Sequence, residues 1–274
     1  MTLSKIMNNE QFIKLVEKYK NLSPEEAKEL RLKQCNDATG DLNDNGEYDC
    51  PICKNKGVIY SYGENSDEIK ACQCRCMKIR KALYDIGKSG LSAMCKKCTF
   101  ENYKVKKPWQ ADIKKRALDF CKDPDAKAFY ICGQSGAGKT HICTAITLDF
   151  IKRGVSCKYM LWRDASVRLK AIINNSEEYS KEMDELKSVD FLYIDDFWKV
   201  NQGSFPSPAD VALAFEIVNN RLSNGRTTIF SSELSMADIV KIDEATSGRI
   251  FESTGKKYYI FIEKDRAKNH RLIV

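Results

Sequence analysis

Residues 133–140 read GQSGAGKT, and residues 128–132 before them read AFYIC. The apolar run predicts a buried strand, and apolar residues at helical spacing from Ile142 to Phe150, with Gly154 as a stop, predict a helix afterwards. A glycine-rich turn ending in Gly-Lys-Thr between strand and helix is the P-loop pattern, whose backbone N–H groups surround phosphate oxygens. We therefore expect a nucleotide site at this turn.

The predicted phosphate site includes the P-loop and the histidine that follows it. Lys139 is expected to neutralise the β and γ phosphates of ATP, and the Thr140 hydroxyl to ligate Mg²⁺. We expect the histidine to pack beside the threonine. The nucleotide-binding candidates are Gly133, Gln134, Ser135, Gly136, Ala137, Gly138, Lys139, Thr140 and His141.

Two aspartates follow the apolar run FLYI at residues 191–194. Asp195 is expected to hold Mg²⁺, directly or through water, and Asp196 to polarise an attacking water molecule. A carboxylate in the second position favours hydrolysis of ATP over phosphorylation of a bound hydroxyl. The alternative is that Asp196 only caps the following turn.

Five short apolar runs alternate with helix-length segments in the second half of the chain. This alternation predicts an α/β fold with a five-stranded parallel sheet that is covered on both faces. A further helix is expected at 210–222, ending at Asn224-Gly225. The predicted strands are 128–132, 156–161, 190–195, 227–232 and 257–262.

The chain has 274 residues, with 45 Lys and Arg against 38 Asp and Glu. The net charge of +7 is compatible with a polyanionic partner but does not demonstrate one. Apolar runs of signal-peptide or membrane-spanning length are missing from the sequence. We therefore expect a cytoplasmic protein without a membrane partner.

Eight of the 12 cysteines lie in the first hundred residues. Cys50 and Cys53 form a C-x-x-C pair, and Cys72, Cys74 and Cys76 follow after an intervening 18 residues. Two close pairs at this separation indicate a zinc ribbon, since Zn²⁺ takes four thiolates, so five candidates compete for four places.

The uneven distribution of cysteines predicts two domains. Residues 1–98 would form a helical and zinc-binding module, and residues 99–274 the ATPase domain. Within the first, residues 10–19 are expected to form a helix, and Ser23, Pro24 and Glu26 predict the capped start of a second helix.

Together these features resemble the AAA+ ATPases, and within them the DnaC/IstB group of helicase loaders, particularly the phage and Gram-positive type with an N-terminal zinc-binding module. Similarity covers roughly residues 50–274. The segments that carry it are GQSGAGKTH (133–141), YIDDF (193–197), FEIVNNR (215–221), TIFSSELS (228–235), SGRI (247–250), KSGL (88–91) and TFENY (99–103).

The resemblance implies roles for single residues. Arg249 matches the arginine finger, which acts on a neighbouring subunit's nucleotide, so self-association or a ring-bound oligomer is implied. Phe100 and Tyr103 match a segment near the adenine. The group's C-x-C-M pattern favours Cys74 and Cys76 as zinc ligands, with Cys72 as the alternative.

Two departures from the group concern the nucleotide site. Glu233 stands where a sensor asparagine is usual, so that either Ser232 substitutes for it or hydrolysis is slow. The sequence continues for about 12 residues after the last predicted strand, so we expect a fold with no C-terminal lid domain. Arg271 is a candidate phosphate contact in its place.

The leading hypothesis is an ATP-dependent loader of the replicative DNA helicase. Its N-terminal module would dock the helicase, and its ATPase domain would bind ATP, Mg²⁺ and single-stranded DNA, with hydrolysis slow and stimulated by a partner or DNA. Three alternatives are a transposition helper ATPase, a P-loop small-molecule kinase and a zinc-dependent DNA-binding regulator. Candidate DNA contacts are Lys78, Arg80, Lys81, Lys88, Lys104, Lys106, Lys107, Trp109 and the loop 198–203.

Overall fold

A computed structural model describes residues 22–42, 48–63, 66–88, 91–95, 97–200 and 204–271. The helix predicted at 10–19 lies outside these residues. The chain divides into two compact units between Met77 and Lys78. The functional boundary after residue 98 stays a prediction.

Both units contain helices and strands, which alternate along most of the second unit. The helices are α1 Pro24–Asp37, α2 Cys76–Lys88, α3 Ser92–Cys95, α4 Pro108–Lys122, α5 Lys139–Lys152, α6 Trp162–Ala171, α7 Ser176–Ser188, α8 Pro208–Ser223, α9 Met236–Ile242 and α10 Glu244–Tyr258. The strands are β1 Val58–Tyr62, β2 Ile69–Gln73, β3 Ala128–Gly133, β4 Cys157–Leu161, β5 Phe191–Asp195, β6 Thr227–Ser232 and β7 Tyr259–Ile262.

The first unit contains α1 and a two-stranded antiparallel sheet of β1 and β2. Ser23 caps α1 as predicted: its hydroxyl accepts from the Glu26 N–H at 3.2 Å, and the Glu26 carboxylate accepts from the Ser23 N–H at 2.7 Å. Pro24 fits the first turn, where its missing N–H costs nothing. This confirms the predicted capping box.

The second unit is built on a five-stranded parallel sheet in the order β4-β5-β6-β3-β7. The predicted α/β fold and its five strands are therefore confirmed. The last strand starts two residues later than expected, at Tyr259, because α10 continues to Tyr258. Every residue of β3 and of β5 is buried, as expected for strands with helices on both faces.

Helix ends in the second unit follow local signals. The P-loop helix α5 stops before Gly154, whose φ of +82° suits a glycine after a helix. The start of α8 was placed two residues too late. Ser207 and Asp210 form a capping box there, and Pro208 occupies the first turn.

Arg221 ties the start of β5 to β6 from a fully buried position on α8. Its guanidinium donates to the carbonyls of Leu186 (2.7 Å), Val189 (2.8 Å) and Thr227 (2.7 Å). Because all of these acceptors are neutral, the side chain satisfies carbonyls that would otherwise be buried without partners. The contacts help to hold β5 and β6 side by side.

The carboxyl ends of β3, β5 and β6 consequently meet at one edge of the sheet, where open α/β sheets bind their ligands. Among the residues that the structure describes, every helix is too short or too polar to cross a lipid bilayer.

Candidate functional site

A cavity of about 270 Å³ lies at this edge of the sheet. Four charged residues from outside the P-loop and its helix line it together with Lys139: Asp196, Lys199, Glu233 and Arg271. Met94 and Cys98 also line it. The structure thus brings the two sequence-predicted halves of the phosphate site into one cavity.

The P-loop passes so close to neighbouring segments that two of its glycines leave no room for a side chain. Gly133 and Gly136 have φ angles of +124° and +77°. A Cβ at Gly133 would lie 2.1 Å from the Ile262 carbonyl oxygen, and one at Gly136 would lie 2.1 Å from the Asn269 side-chain oxygen. These positions require glycine because of both the backbone angle and the space.

Lys139 is the first residue of α5, next to the free N–H groups at the start of that helix. It is only 6% exposed, and its Nζ donates to the Gly133 and Gln134 carbonyls at 2.9 Å each. Burial lowers the pKa of Lys139, and the negative charge of Glu233 partly offsets that effect. The Lys139 ammonium and the N-terminus of α5 therefore provide positive charge at the same place, where a phosphate group can bind.

The Asp195 carboxylate, 4% exposed, accepts hydrogen bonds from hydroxyls on three strands. Tyr193 donates to Oδ1 at 2.7 Å, Tyr159 donates to Oδ2 at 3.0 Å, and the Ser231 hydroxyl also donates to Oδ1. Burial, reinforced by the negative charge of Asp195, raises the pKa of both tyrosines, so each hydroxyl keeps its proton.

The Thr140 hydroxyl lies 3.5 Å from Asp195 Oδ1. A carboxylate and a hydroxyl beside an anion cradle are the oxygen ligands that Mg²⁺ takes from a protein, so the residues present fit this ion. Sequence reasoning missed Tyr159 and Ser231. The only feature of the sequence that could have indicated them is that they lie on β4 and β6, the two strands next to β5.

Asp196 and Glu233 are joined by one lysine. Lys199 Nζ lies 2.9 Å from Asp196 Oδ2 and 3.3 Å from Glu233 Oε1. Desolvation lowers the pKa of Lys199, but the hydrogen bond and charge of Asp196, with Glu233, outweigh it and raise the pKa overall. The sequence had suggested residue 199 only as part of a DNA-contacting loop.

Ser232 does not take the place of the missing sensor side chain. It is fully buried, and its hydroxyl donates to the Phe197 carbonyl at 2.8 Å and accepts from the Leu234 N–H at 3.1 Å. Both contacts hold the backbone after β6, whereas Glu233 turns into the cavity. The first of the two alternatives for this position is therefore wrong.

His141 and Tyr103 pack together on one side of the P-loop. Their rings meet edge to face at 5.2 Å, and the His141 Nε2 lies 2.9 Å from the Thr99 carbonyl oxygen. Tyr103 is buried, and a Cβ on Gly138 would approach it to 3.4 Å. Tyr103 and Thr99 therefore support the P-loop. Both belong to the segment that the family resemblance places near the adenine.

Residues 265–271 also pack against the P-loop, where the sequence had indicated Arg271 alone. The Gln134 amide donates to the Asp265 carbonyl at 2.6 Å, and the His270 N–H donates to the Gly136 carbonyl at 3.0 Å. Arg271 Nη1 lies 3.3 Å from the Ser135 hydroxyl and faces the cavity.

Arg249 lies on α10 and does not face the cavity of its own chain. Its side chain is half exposed, and its Nη1 is 3.9 Å from Glu252, a weak exposed pair. An arginine in this position is free to reach another molecule.

Four cysteines of the first unit form a second candidate site. The Sγ atoms of Cys50, Cys53, Cys74 and Cys76 all lie within 4.8 Å of one another, with Cys50–Cys74 at 3.8 Å and Cys53–Cys76 at 3.4 Å. Tetrahedral Zn–S bonds of about 2.3 Å give sulfur separations of roughly 3.8 Å, so the donor set fits zinc. Cys72 is exposed on β2, outside the cluster.

The turn after Cys53 is built for this cluster. The Cys50 N–H donates to the Asn55 side-chain oxygen at 2.8 Å, and the Gly57 N–H approaches the Cys53 sulfur at 3.3 Å. Although burial acts in the other direction, the Gly57 N–H and the neighbouring thiols lower the pKa of Cys53 to about 7. Hydrogen bonds of this kind stabilise thiolate, the form that binds metals.

The candidate DNA contacts are placed unevenly. Lys104, Lys106 and Lys107 are exposed, but the ring of Trp109 stacks on His270 at 6.3 Å, which covers one of its faces. Trp198 is 1% exposed, so the structure does not offer its ring to a base. Lys78 and Lys81 line a larger cleft, about 790 Å³, beside edge strand β4.

The fold and cavity define a P-loop nucleotide-binding protein of the AAA+ class. The family model of IstB-like ATP binding proteins matches residues 80–245, more than half of the chain. The chain belongs to this family of ATP-binding proteins.

Curated relatives include phage-like and replication proteins. The chain is 28% identical to YqaM of Bacillus subtilis, covering 82% of this chain and 86% of that protein. It is 29% identical to XkdC of the phage-like element PBSX of Bacillus subtilis, covering 84% and 88%. It is 25% identical to the replicative helicase loader DnaC of Escherichia coli, covering 61% and 67%.

One similar solved structure is the replication initiator DnaA bound to AMPPCP and single-stranded DNA, with a TM-score of 0.52 and 20% identity over 62% of this chain. The chain spans about half of that DnaA chain (50%), and the likeness shows the fold alone.

Replacing Lys139 by Ala is expected to weaken ATP binding about 100-fold, because charge-assisted hydrogen bonds from a buried cation are each worth roughly 1.5–3 kcal/mol. The measurement is titration of a fluorescent ATP analogue, with a circular dichroism spectrum to check folding. Lys152→Ala, at the exposed end of the same helix, is the matched control and should bind as the natural chain does. Equal affinities for all three proteins would contradict the assignment.

Proposed function

We propose that this chain is an ATP-dependent loader of a replicative DNA helicase. The carrying observation is the cavity that joins the P-loop to Asp196, with Asp195 Oδ1 3.5 Å from the Thr140 hydroxyl beside it. The chain is related to a replicative helicase loader over 67% of that protein. Cytoplasmic DNA replication is the setting that this function implies.

In the proposed reaction, Lys139 and the N–H groups at the start of α5 bind the phosphates of ATP. Thr140 and Asp195 hold Mg²⁺, which offsets phosphate charge. Asp196 orients a water molecule and accepts its proton. The water oxygen then bonds to the γ phosphorus, and the bond to ADP breaks with its electrons going to the leaving oxygen.

Hydrolysis in the isolated chain is expected to be slow because its own cavity is not lined by an arginine finger. Arg249 does not line the cavity of its own chain and is half exposed, so it would complete the site of a neighbouring molecule in a self-associated or ring-bound assembly. DNA or a partner that brings molecules together would then stimulate hydrolysis.

Single-stranded DNA and helicase are assigned to different parts of the chain. Exposed Lys104, Lys106 and Lys107 are candidates for contacts with the DNA backbone, as are Lys78 and Lys81 in the cleft beside β4. The N-terminal module, residues 1–98, is the candidate for docking the helicase.

Replicative helicase is expected to co-elute with the full chain in size-exclusion chromatography when a non-hydrolysable ATP analogue is present. Cross-links, mapped by mass spectrometry, should concentrate in residues 1–98. Lys139→Ala should lose any dependence of the complex on nucleotide. Failure to recover helicase with or without nucleotide would overturn the loader proposal.

A transposition helper ATPase is the second candidate, favoured by the match to the IstB-like family. The same chromatography run with a transposase in place of the helicase separates the two functions. Co-elution with transposase alone would establish the second candidate.

We assign a structural zinc ion to Cys50, Cys53, Cys74 and Cys76. Four buried thiolates leave no open position, so the ion would stabilise a module whose helix α1 buries no residue of its own.

Elemental analysis of the purified chain should find about one zinc per molecule. Cys74→Ser is expected to lose the metal and to lower the melting temperature of the first unit, whereas Cys72→Ser should keep both. Loss of zinc from the Cys72 variant, or zinc retained by the Cys74 variant, would contradict the ligand assignment.

A further inference from the structure

Lys199 occupies a position at the nucleotide cavity that is fixed by the core. It ends the turn that begins at Asp196, and its N–H donates to the Asp196 carbonyl at 2.9 Å. The two residues between them, Phe197 and Trp198, are buried against Trp162, with ring centroids 5.1 and 5.5 Å from it. The ends of the turn, Asp196 and Lys199, are thereby held at the cavity.

The turn contains two left-handed residues that are not glycine: φ is +52° at Asp196 and +65° at Trp198. Such backbone angles cost free energy in residues with a side chain, and they cluster at sites where geometry serves function. Here the two aromatic side chains anchor the turn, so its shape is maintained by packing.

Glu233 completes the arrangement from the neighbouring strand. It follows β6 directly, whereas Asp196 follows β5, and the two strands are paired in parallel. Lys199 therefore bridges two carboxylates from adjacent strand ends, with side-chain exposures of 41% for Lys199, 29% for Asp196 and 39% for Glu233. An ion pair this accessible can be exchanged for another anion.

The charges of the cavity also affect Lys139. Glu233 and Asp196 favour its charged form, while Lys199 opposes it, which places all four groups within electrostatic reach of one another. A P-loop lysine contacts the β and γ phosphates, and a carboxylate after β5 faces the water that attacks the γ phosphate. The Lys199 bridge consequently lies at the terminal-phosphate end of the site.

We propose that Lys199 is the positioning residue by which this chain distinguishes ATP from ADP. Its ammonium exchanges the Asp196 and Glu233 carboxylates for the terminal phosphate of ATP, and this exchange frees Asp196 to orient water. The ammonium has three N–H donors and two carboxylate partners, Asp196 and Glu233. Phosphate oxygens are strong acceptors as well, so a bound phosphate competes directly with the carboxylates. The inference rests on the proposed ATPase function and extends it.

The same exchange explains Glu233, the departure from the sensor asparagine. Without the terminal phosphate, its carboxylate holds the ammonium beside Asp196 and prevents an unpaired cation. If Lys199 were missing, the negative charge of Glu233 would repel the phosphate. Lys199 and Glu233 thus act as a pair.

The test is titration of a fluorescent ADP and a fluorescent non-hydrolysable ATP analogue into the full chain. Lys199→Met should bind the ATP analogue about tenfold more weakly, the effect of one lost charge-assisted hydrogen bond, and ADP within about threefold of the natural chain. Lys199→Arg should restore most of the preference. Equal weakening of both nucleotides, or no change in either, would overturn the proposal.

Lys158→Met is the matched control. Lys158 Nζ is also ion-paired and part-exposed, at 2.6 Å from Glu185, but it lies on edge strand β4 away from the cavity. Its replacement should leave both affinities unchanged. A loss equal to that of Lys199→Met would show a general charge effect and contradict the inference.

Glu233→Gln is expected to change the affinity for the ATP analogue in the opposite direction. Release of Lys199 from this carboxylate should strengthen binding of the ATP analogue by about threefold and leave ADP unchanged. Unchanged or weaker binding of the analogue would contradict the role given to Glu233. If Lys139→Ala abolishes binding while Lys199→Met changes nothing, the nucleotide site stands and only this inference fails.

Discussion

The buried carboxylate of Asp195 is the constraint on which the nucleotide site depends. A carboxylate that is 4% exposed is costly to desolvate unless hydrogen-bond donors replace water. Here the donors are neutral hydroxyls from Tyr159, Tyr193 and Ser231, which satisfy its oxygens without neutralising its charge. The carboxylate is therefore held by hydroxyl donors at the point where we assign Mg²⁺.

That network also requires the observed order of the sheet. Its three hydroxyls come from β4, β5 and β6, and the Thr140 hydroxyl joins from α5. The Asp196 N–H donates to Ser231 at 3.2 Å, so the strand ends and the following turn are fixed together. Asp196 and Glu233 emerge on adjacent strand ends, and Lys199 can pair with both. The groups to which we assign catalysis and charge balance are thus held by the same strand ends.

Sequence reasoning found the parts that local patterns determine. The P-loop, the paired aspartates, the capping box at Ser23 and the five strands each have a signature within a few residues. The spacing of the thiols indicated five cysteines for four places, and only the family resemblance favoured Cys74 and Cys76 over Cys72. Sequence reasoning could not find contacts between residues far apart in the chain, such as Tyr159 with Asp195 or Gln134 with Asp265.

The errors have the same origin. Ser232 and Trp198 were considered as functional side chains because of their positions in the sequence, yet both are buried and hold the fold. Lys199 was considered only as part of a possible DNA-binding loop, and its role depends on a carboxylate 34 residues away. Whether a side chain near a motif faces the cavity or the core is decided by tertiary packing.

The most direct test of the central claim is ATP affinity of Asp195→Asn, measured by calorimetric titration with Mg²⁺ and again with the metal chelated. The substitution keeps the shape of the side chain but removes its charge, so binding should be about tenfold weaker in Mg²⁺ and equal to that of the natural chain without it. An Asn variant with the full Mg²⁺ dependence of the natural chain would contradict the placement of the metal at the end of β5.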